Sequence, residues 1–229
     1  MTFTQWGRFI GLLFPVYFSS FKQHTRTFEE RWFTLKHYSE KFFILTKIKY
    51  NVTYKSEPTD QTVYYVANHE GQFDPILLMA AMKKPMTFIS KIENLKIPVI
   101  GKWGKLIGFI TFKRDDYEAN VTMLRQSARL LKEGKSILIF PEGTRARSNT
   151  LLPFKSGSLL PAYLAKVPIV PVTQIHTYAM DQRGQLKQPL QVIFDEPIPY
   201  AKYKDIPYAE MAILIHDQIT SNIKKVLNQ

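Results

Sequence analysis

The sequence predicts an α/β fold, a mixed and largely parallel central sheet flanked by helices, preceded by a basic, aromatic two-helix hairpin. Three observations predict it. From Lys47 onward, short β-branched and aromatic runs alternate with helical stretches, the order that builds α/β layers. A chain of 229 residues with 45% hydrophobic content is long enough to bury one sizeable core. Residues 1–56 stand apart, carrying nine Lys/Arg against three Glu and 15 of the 31 aromatic residues.

In the hairpin, residues 3–21 and 27–47 read as two helices separated by Lys22-Gln23-His24-Thr25-Arg26. The second gathers Phe28, Trp32, Leu35, Phe42 and Phe43 broadly on one face, with its charges elsewhere. The longest apolar run, Phe9 to Phe18, is ten residues and contains Pro15, well short of the ~20 needed to cross a bilayer. A cleaved signal peptide fits poorly, because Arg8 is a lone charge and no small-residue cleavage site follows. Basic residues interleaved with Trp, Tyr and Phe suit a bilayer interface, where rings sit at headgroup level and Lys/Arg reach phosphates. Residues 1–46 are therefore expected to lie in a membrane surface and 47–229 to form the α/β domain. The competing reading is an ordinary core-packing helix pair.

The strands are expected at Ile48–Tyr54, Thr62–Ala67, Met86–Ser90, Gly108–Phe112, Ser136–Phe140, Ile169–Gln174 and Leu190–Phe194, with helices at about 75–83, 94–106, 115–133, 156–165 and 207–227. The helix at 115–133 is the clearest. Asp115 and Asp116 favour its start, Val121, Leu124, Ala128 and Leu131 form its stripe, and Gly134 ends it. Pro168 and Pro171 confine the strand at 169–174 to an edge or to a strand start.

Composition excludes several chemistries. With no cysteine, there is no disulfide, no Cys-based metal site and no thiol nucleophile. His24, His37, His69, His176 and His216 show no metal-ligand spacing, so no metal is indicated. No GxSxG elbow is present to suggest a serine nucleophile. The formal charge of +12 implies an anionic partner, a membrane or a nucleic acid. Zinc-finger, RRM and KH signatures are lacking, which disfavours nucleic acid.

Chemistry concentrates at strand ends. Asn68-His69-Glu70-Gly71-Gln72-Phe73-Asp74-Pro75 follows an apolar strand, and Asp74-Pro75 reads as an N-cap followed by a first-turn proline. One continuous helix would place His69 and Asp74 about 140° apart, whereas a turn at Glu70-Gly71-Gln72 lets them meet. A carboxylate on one imidazole nitrogen leaves the other as a base for an alcohol. The alternative is that Asp74 only caps and His69 only ends a strand. Phe140-Pro141-Glu142-Gly143-Thr144-Arg145-Ala146-Arg147 closes another strand, its glycine and arginines suited to an oxyanion or phosphate. Gly108 to Arg114 ends in two cations, which puts Arg114 at the carboxyl end of a strand, where open α/β sheets bind ligands. Val167 to Val172 is the fourth block.

In order and spacing these four blocks resemble those of the glycerolipid acyltransferases of the 1-acylglycerol-3-phosphate acyltransferase type, over about residues 60–200. The resemblance implies that His69 is the general base and Asp74 its orienting acid. It implies that Arg114, Glu142, Gly143 and Arg145 hold the phosphate and glycerol of a lysophosphatidate acceptor, with Gly143 also a candidate oxyanion donor. Lys91 and Lys155 fall where members carry further cations. Gly71 and Ala146 depart from the Ser or Thr, and the Ser, found there in many members. The donor implied is an acyl-CoA or acyl carrier protein thioester, with no cofactor, and the place of action is the cytoplasmic face of a membrane, bound peripherally through anionic lipids.

Overall fold

The computed structural model describes residues 1–113, 116–182 and 186–228. Seven strands form one sheet, β1 (Tyr50–Tyr54), β2 (Tyr64–Ala67), β3 (Thr87–Lys91), β4 (Ile110–Phe112), β5 (Ile137–Ile139), β6 (Ile169–Ile175) and β7 (Leu190–Phe194), each within a few residues of its expected place. Their order is β1-β7-β6-β2-β5-β3-β4, and every neighbouring pair is parallel except β6 with β7. The sheet is thus mixed and largely parallel, as expected. β2, β5 and β6 are buried along their whole length. That burial on both faces is why they read as unbroken apolar runs.

β6 corrects the expectation drawn from its prolines, because it lies in the middle of the sheet between β7 and β2. The Asp195 N–H donates to the Pro171 carbonyl at 3.0 Å. The nitrogen of Pro171 points to the same neighbour, just past the last residue of β7, Phe194. Pro171 thus sits opposite Asp195 in the last pair of the antiparallel ladder, where its carbonyl keeps one bond and the missing donor costs only the second bond of that terminal pair.

The helices are α1 (Phe3–Ser19), α2 (Phe28–Thr46), α3 (Asp74–Ala81), α4 (Pro98–Leu106), α5 (Tyr117–Lys132), α6 (Leu160–Ala165), the single turns α7 (Tyr178–Asp181) and α8 (Tyr200–Tyr203), and α9 (Tyr208–Leu227). Thr2 with Gln5 and Thr27 with Glu30 form capping boxes that start α1 and α2. The stretch expected as one helix at 94–106 is a 3₁₀ turn, Ile92–Lys96, followed by α4. Ile97 before Pro98 is held extended, which breaks the run. α5 starts from Asp116, whose side chain accepts the Ala119 N–H, whereas Asp115 lies outside the described residues.

Two apolar layers sandwich the sheet. On one face Val66, Ile89, Ile137 and Ile169 meet Leu131, Ala162 and the α9 stripe Met211, Ile215, Ile219 and Ile223. On the other, Tyr65, Leu138, Val170 and Val192 meet α3, Trp103 and the hairpin residues Leu12, Val16, Trp32, Phe42 and Phe43. Residue 46/47 is therefore a change of secondary structure and not of core: the inner face of the hairpin belongs to the α/β domain. Arg31 strengthens the union by donating to the carbonyls of Gln23, His24 and Leu106. The outer face is a different surface. Phe3, Ile10, Phe14, Phe18 and Phe21 are exposed there, and the Lys102 ammonium lies over the rings of Tyr17 and Phe21. Among the described residues no helix is long and apolar enough to cross a membrane.

Candidate active site

Because β2, β5 and β6 run parallel, the turns after them gather at one carboxyl edge, where open α/β sheets place their ligands. β2 delivers Asn68 and His69, β5 delivers Phe140 to Arg147, and β6 delivers His176 and Thr177. Asn68 fixes the exit of β2. Its amide and backbone exchange three hydrogen bonds with Gln174 of β6, at 2.7 to 2.9 Å.

The turn at Glu70-Gly71-Gln72 brings His69 and Asp74 together, with Nδ1 2.7 Å from Asp74 Oδ2. Asp74 is fully buried and is the first residue of α3, so it is not the N-cap that the sequence suggested; that position belongs to Phe73. Its carboxylate turns back into the loop and accepts the N–H groups of Glu70 and Gly71 at 2.7 and 3.0 Å. An ionised carboxylate only accepts, so the proton sits on Nδ1 and the Nε2 lone pair is left available. The imidazole stacks on Phe140, centroids 4.2 Å apart and planes 18° from parallel, and keeps 19% of its side-chain surface exposed. A fixed, partly accessible imidazole with its second nitrogen oriented by a buried carboxylate is equipped to take a proton from a bound hydroxyl.

Glu142 is placed differently from expectation. Its side chain is buried, and both oxygens are occupied by backbone donors, His69 N–H at 2.6 Å and Leu152 N–H at 2.9 Å. It ties the turn after β5 to the backbone of His69 and does not reach outward. Burial pushes its carboxyl up to about 7. The native state then holds the proton more tightly than the unfolded chain, so this contribution to stability is complete below the ordinary carboxylate range and is lost as pH rises through about 7. We expect Tm to fall over that window and Glu142→Gln to flatten the fall, read by thermal melts from pH 4 to 8.

Gly143 also departs from expectation as an oxyanion donor, since its N–H already donates to the Phe140 carbonyl at 3.1 Å. It sits at φ +67, and a Cβ there would lie 3.0 Å from Cε and Nζ of Lys155. Glycine at this position therefore lets the Lys155 ammonium lie across the turn. Arg145 follows in the same turn, which is clipped to the loop after β2 by Ala146 N–H to the His69 carbonyl (2.8 Å) and Arg147 N–H to the Glu70 carbonyl (3.1 Å). Lys91 ends β3, two strands from β2, and pairs with Glu93 at 3.4 Å. Arg114 lies outside the described residues.

Sequence reasoning missed a second ring of support. Glu70 is buried and accepts Thr177 N–H and Oγ1–H at 2.8 and 3.1 Å; burial, with Asp74 nearby, pushes its carboxyl well above the ordinary range. Asp181 of α7 accepts the Gln72 N–H at 2.9 Å. A Cβ on Gly71 would come within 3.0 Å of the Thr177 carbonyl and 3.2 Å of Asp181, so glycine lets α7 close against the loop. The polar sequence of the loop carried the one available signal, acidic side chains beside a histidine at a strand end.

Comparison with known proteins agrees with this geometry. The acyltransferase family model matches residues 49–174, which contain His69, Asp74 and the turn after β5. A probable 1-acyl-sn-glycerol-3-phosphate acyltransferase of Mycoplasma pneumoniae is 32% identical over 186 residues, 75% of this chain and 70% of that protein. The 1-acyl-sn-glycerol-3-phosphate acyltransferase of Escherichia coli is 32% identical over 162 residues, 68% of this chain and 66% of that protein. Among longer relatives the chain spans less, 39% of a Chlamydomonas reinhardtii enzyme of the same name at 37% identity. The crystal structure of the 1-acyl-sn-glycerophosphate acyltransferase of Thermotoga maritima superposes with a TM-score of 0.74 at 24% identity, covering 93% of this chain and 88% of that one.

Proposed function

The chain belongs to the acyltransferase family, and on that premise we propose that it transfers a fatty acyl group from a thioester to the 2-hydroxyl of a 1-acyl-glycerol 3-phosphate, forming phosphatidate. The observation that carries this reading is the pair of His69 and Asp74, 2.7 Å apart and open to solvent on the imidazole side. His69 Nε2 takes the hydroxyl proton as the oxygen attacks the thioester carbonyl. The tetrahedral oxyanion collapses, the C–S bond breaks, and the leaving thiolate receives that proton from the imidazolium. The transfer is direct, with no acyl-enzyme. Lys155 and Arg145, one over the Gly143 turn and one within it, supply positive charge for the acceptor phosphate.

The test is mass spectrometry of products from lysophosphatidate vesicles supplied with acyl-CoA or acyl carrier protein thioesters. Phosphatidate is expected, and the arm that yields it identifies the donor. Product only from glycerol 3-phosphate, or from another lysophospholipid, would move the assignment to that acceptor; no product from any acceptor with either donor would overturn it.

We further propose that the protein works at the cytoplasmic face of a membrane, held peripherally by the outer face of the hairpin on anionic lipids. Phe14, Phe18 and Phe21 are 64, 62 and 54% exposed in one stripe, with Lys22 and Lys102 beside it. Such rings contribute up to roughly 1.5–3 kcal/mol each on full burial, and each neighbouring cation about 1 kcal/mol at an anionic surface. Replacing all three by Ser is expected to weaken sedimentation with anionic vesicles about tenfold or more while leaving Tm nearly unchanged. Undiminished vesicle binding would refute this role. Deleting residues 1–46 is the poorer test, because it would also strip the core from one face of the sheet.

A further inference from the structure

The residue immediately before Asp74 connects the active site to the hairpin. Phe73 is 3% exposed and caps α3, where its carbonyl accepts the Leu77 N–H at 2.9 Å. Its ring meets Trp6 edge-on at 5.8 Å and Phe9 edge-on at 5.4 Å, and stacks on Phe42 at 5.6 Å with the planes 11° apart. The hairpin rings also brace one another, Trp6 on Phe9 at 5.8 Å and Phe9 on Phe42 at 5.4 Å. Three of the four rings in this cluster therefore come from residues 1–46, and the fourth comes from the loop that carries the base.

On its polar side that loop is held by Glu142, Glu70 and Asp181, through hydrogen bonds to the turns around it. On its apolar side the hold described is this ring cluster. Phe73 and Asp74 share a peptide bond, so a shift of the ring is carried into the carboxylate and from there into a 2.7 Å contact that tolerates only a few tenths of an ångström. We propose that Phe73 is a positioning residue for the acyl transfer: gripped by Trp6, Phe9 and Phe42, it places Asp74 against His69, so the hairpin sets turnover as well as location. Trp6 is 37% exposed while it touches Phe73, so one side chain both reaches solvent and grips the loop.

The inference rests on the reading of His69 and Asp74 as base and orienting acid. Its test is steady-state kinetics on the full chain with a short-chain, micelle-free lysophosphatidate, which removes membrane binding from the measurement. Phe73→Leu is expected to lower kcat roughly ten- to a hundredfold, the scale of a misplacement of less than about 1 Å, with KM for both substrates nearly unchanged. Phe9→Leu, a hairpin residue, should give the same signature more weakly, and the double variant should be no worse than Phe73→Leu alone. Val16→Ala, in the same helix but outside the ring cluster, calibrates lost stability: a lower Tm with unchanged kcat.

If Phe73→Leu does not fold, Phe9→Leu and Trp6→Leu decide the matter. Variants that lower Tm but keep the kcat of the folded protein would reduce the rings to ordinary core and overturn the inference while leaving the proposed reaction intact. Full activity of His69→Ala would instead remove the reading on which it rests.

Discussion

His69→Ala is expected to lower turnover about 10²- to 10⁴-fold, the usual contribution of a positioned general base, without unfolding the protein. The loop keeps its anchors, because the His69 N–H still donates to Glu142, the His69 carbonyl still accepts from Ala146, and Asp74 still accepts from Glu70 and Gly71. The side chain itself contributes one bond to Asp74 and the stack on Phe140, with part of the ring in solvent. Binding should therefore survive: KM for lysophosphatidate stays near its wild-type value while kcat collapses. The check is initial rates of wild type and variant over a range of acceptor concentrations, which separates kcat from KM. A kcat within tenfold of wild type would remove His69 from the mechanism.

Asp74→Asn is expected to do comparable damage by a different route, up to about a 10⁴-fold loss by analogy with the His–Asp pair of a serine protease in which the tautomer is lost. The carboxylate meets two backbone N–H groups and Nδ1 in a site with no exposure. An amide offers one acceptor oxygen and turns an NH₂ toward donors, which leaves at least one N–H unsatisfied at a cost of about 1–3 kcal/mol. It also permits the imidazole proton to move to Nε2, the nitrogen that must be free. Asp74→Asn should thus lose both Tm and kcat, whereas His69→Ala loses chiefly kcat. The two variants measured together separate orientation from proton transfer, and an Asp74→Asn enzyme with normal kcat would show that tautomer control is not needed.

The strands were readable because the sheet buries them on both faces, so β2, β5 and β6 appear as apolar runs bounded by turn residues. His69 and Asp74 were readable because five residues and a turn bring them together locally. The supports of the site were not, since they act across long separations: 73 residues between His69 and Glu142, 106 between Asn68 and Gln174, and 107 between Glu70 and Thr177. Such bonds leave no period in the sequence. Glu142 shows the consequence: the family resemblance implied a ligand contact, and its buried carboxyl instead braces two backbone N–H groups. Pro171 shows another, because a proline rule about edges is obeyed at the end of one ladder inside a central strand. In the hairpin the core-packing reading describes the inner face of the helices, and the membrane proposal concerns the exposed outer face alone.

The core shared by the hairpin and the sheet sets an order of events during synthesis. α1 and α2 are finished at Thr46, but β6 and β7, which complete the sheet face they cover, begin more than 120 residues later, at Ile169 and Leu190. At translation rates of about 5–20 residues per second, the hairpin waits for several seconds or longer with both its inner and its outer apolar faces uncovered. If the outer face binds a bilayer as proposed, the pair is free to settle there before its sheet exists, and the fold would then assemble against helices already anchored.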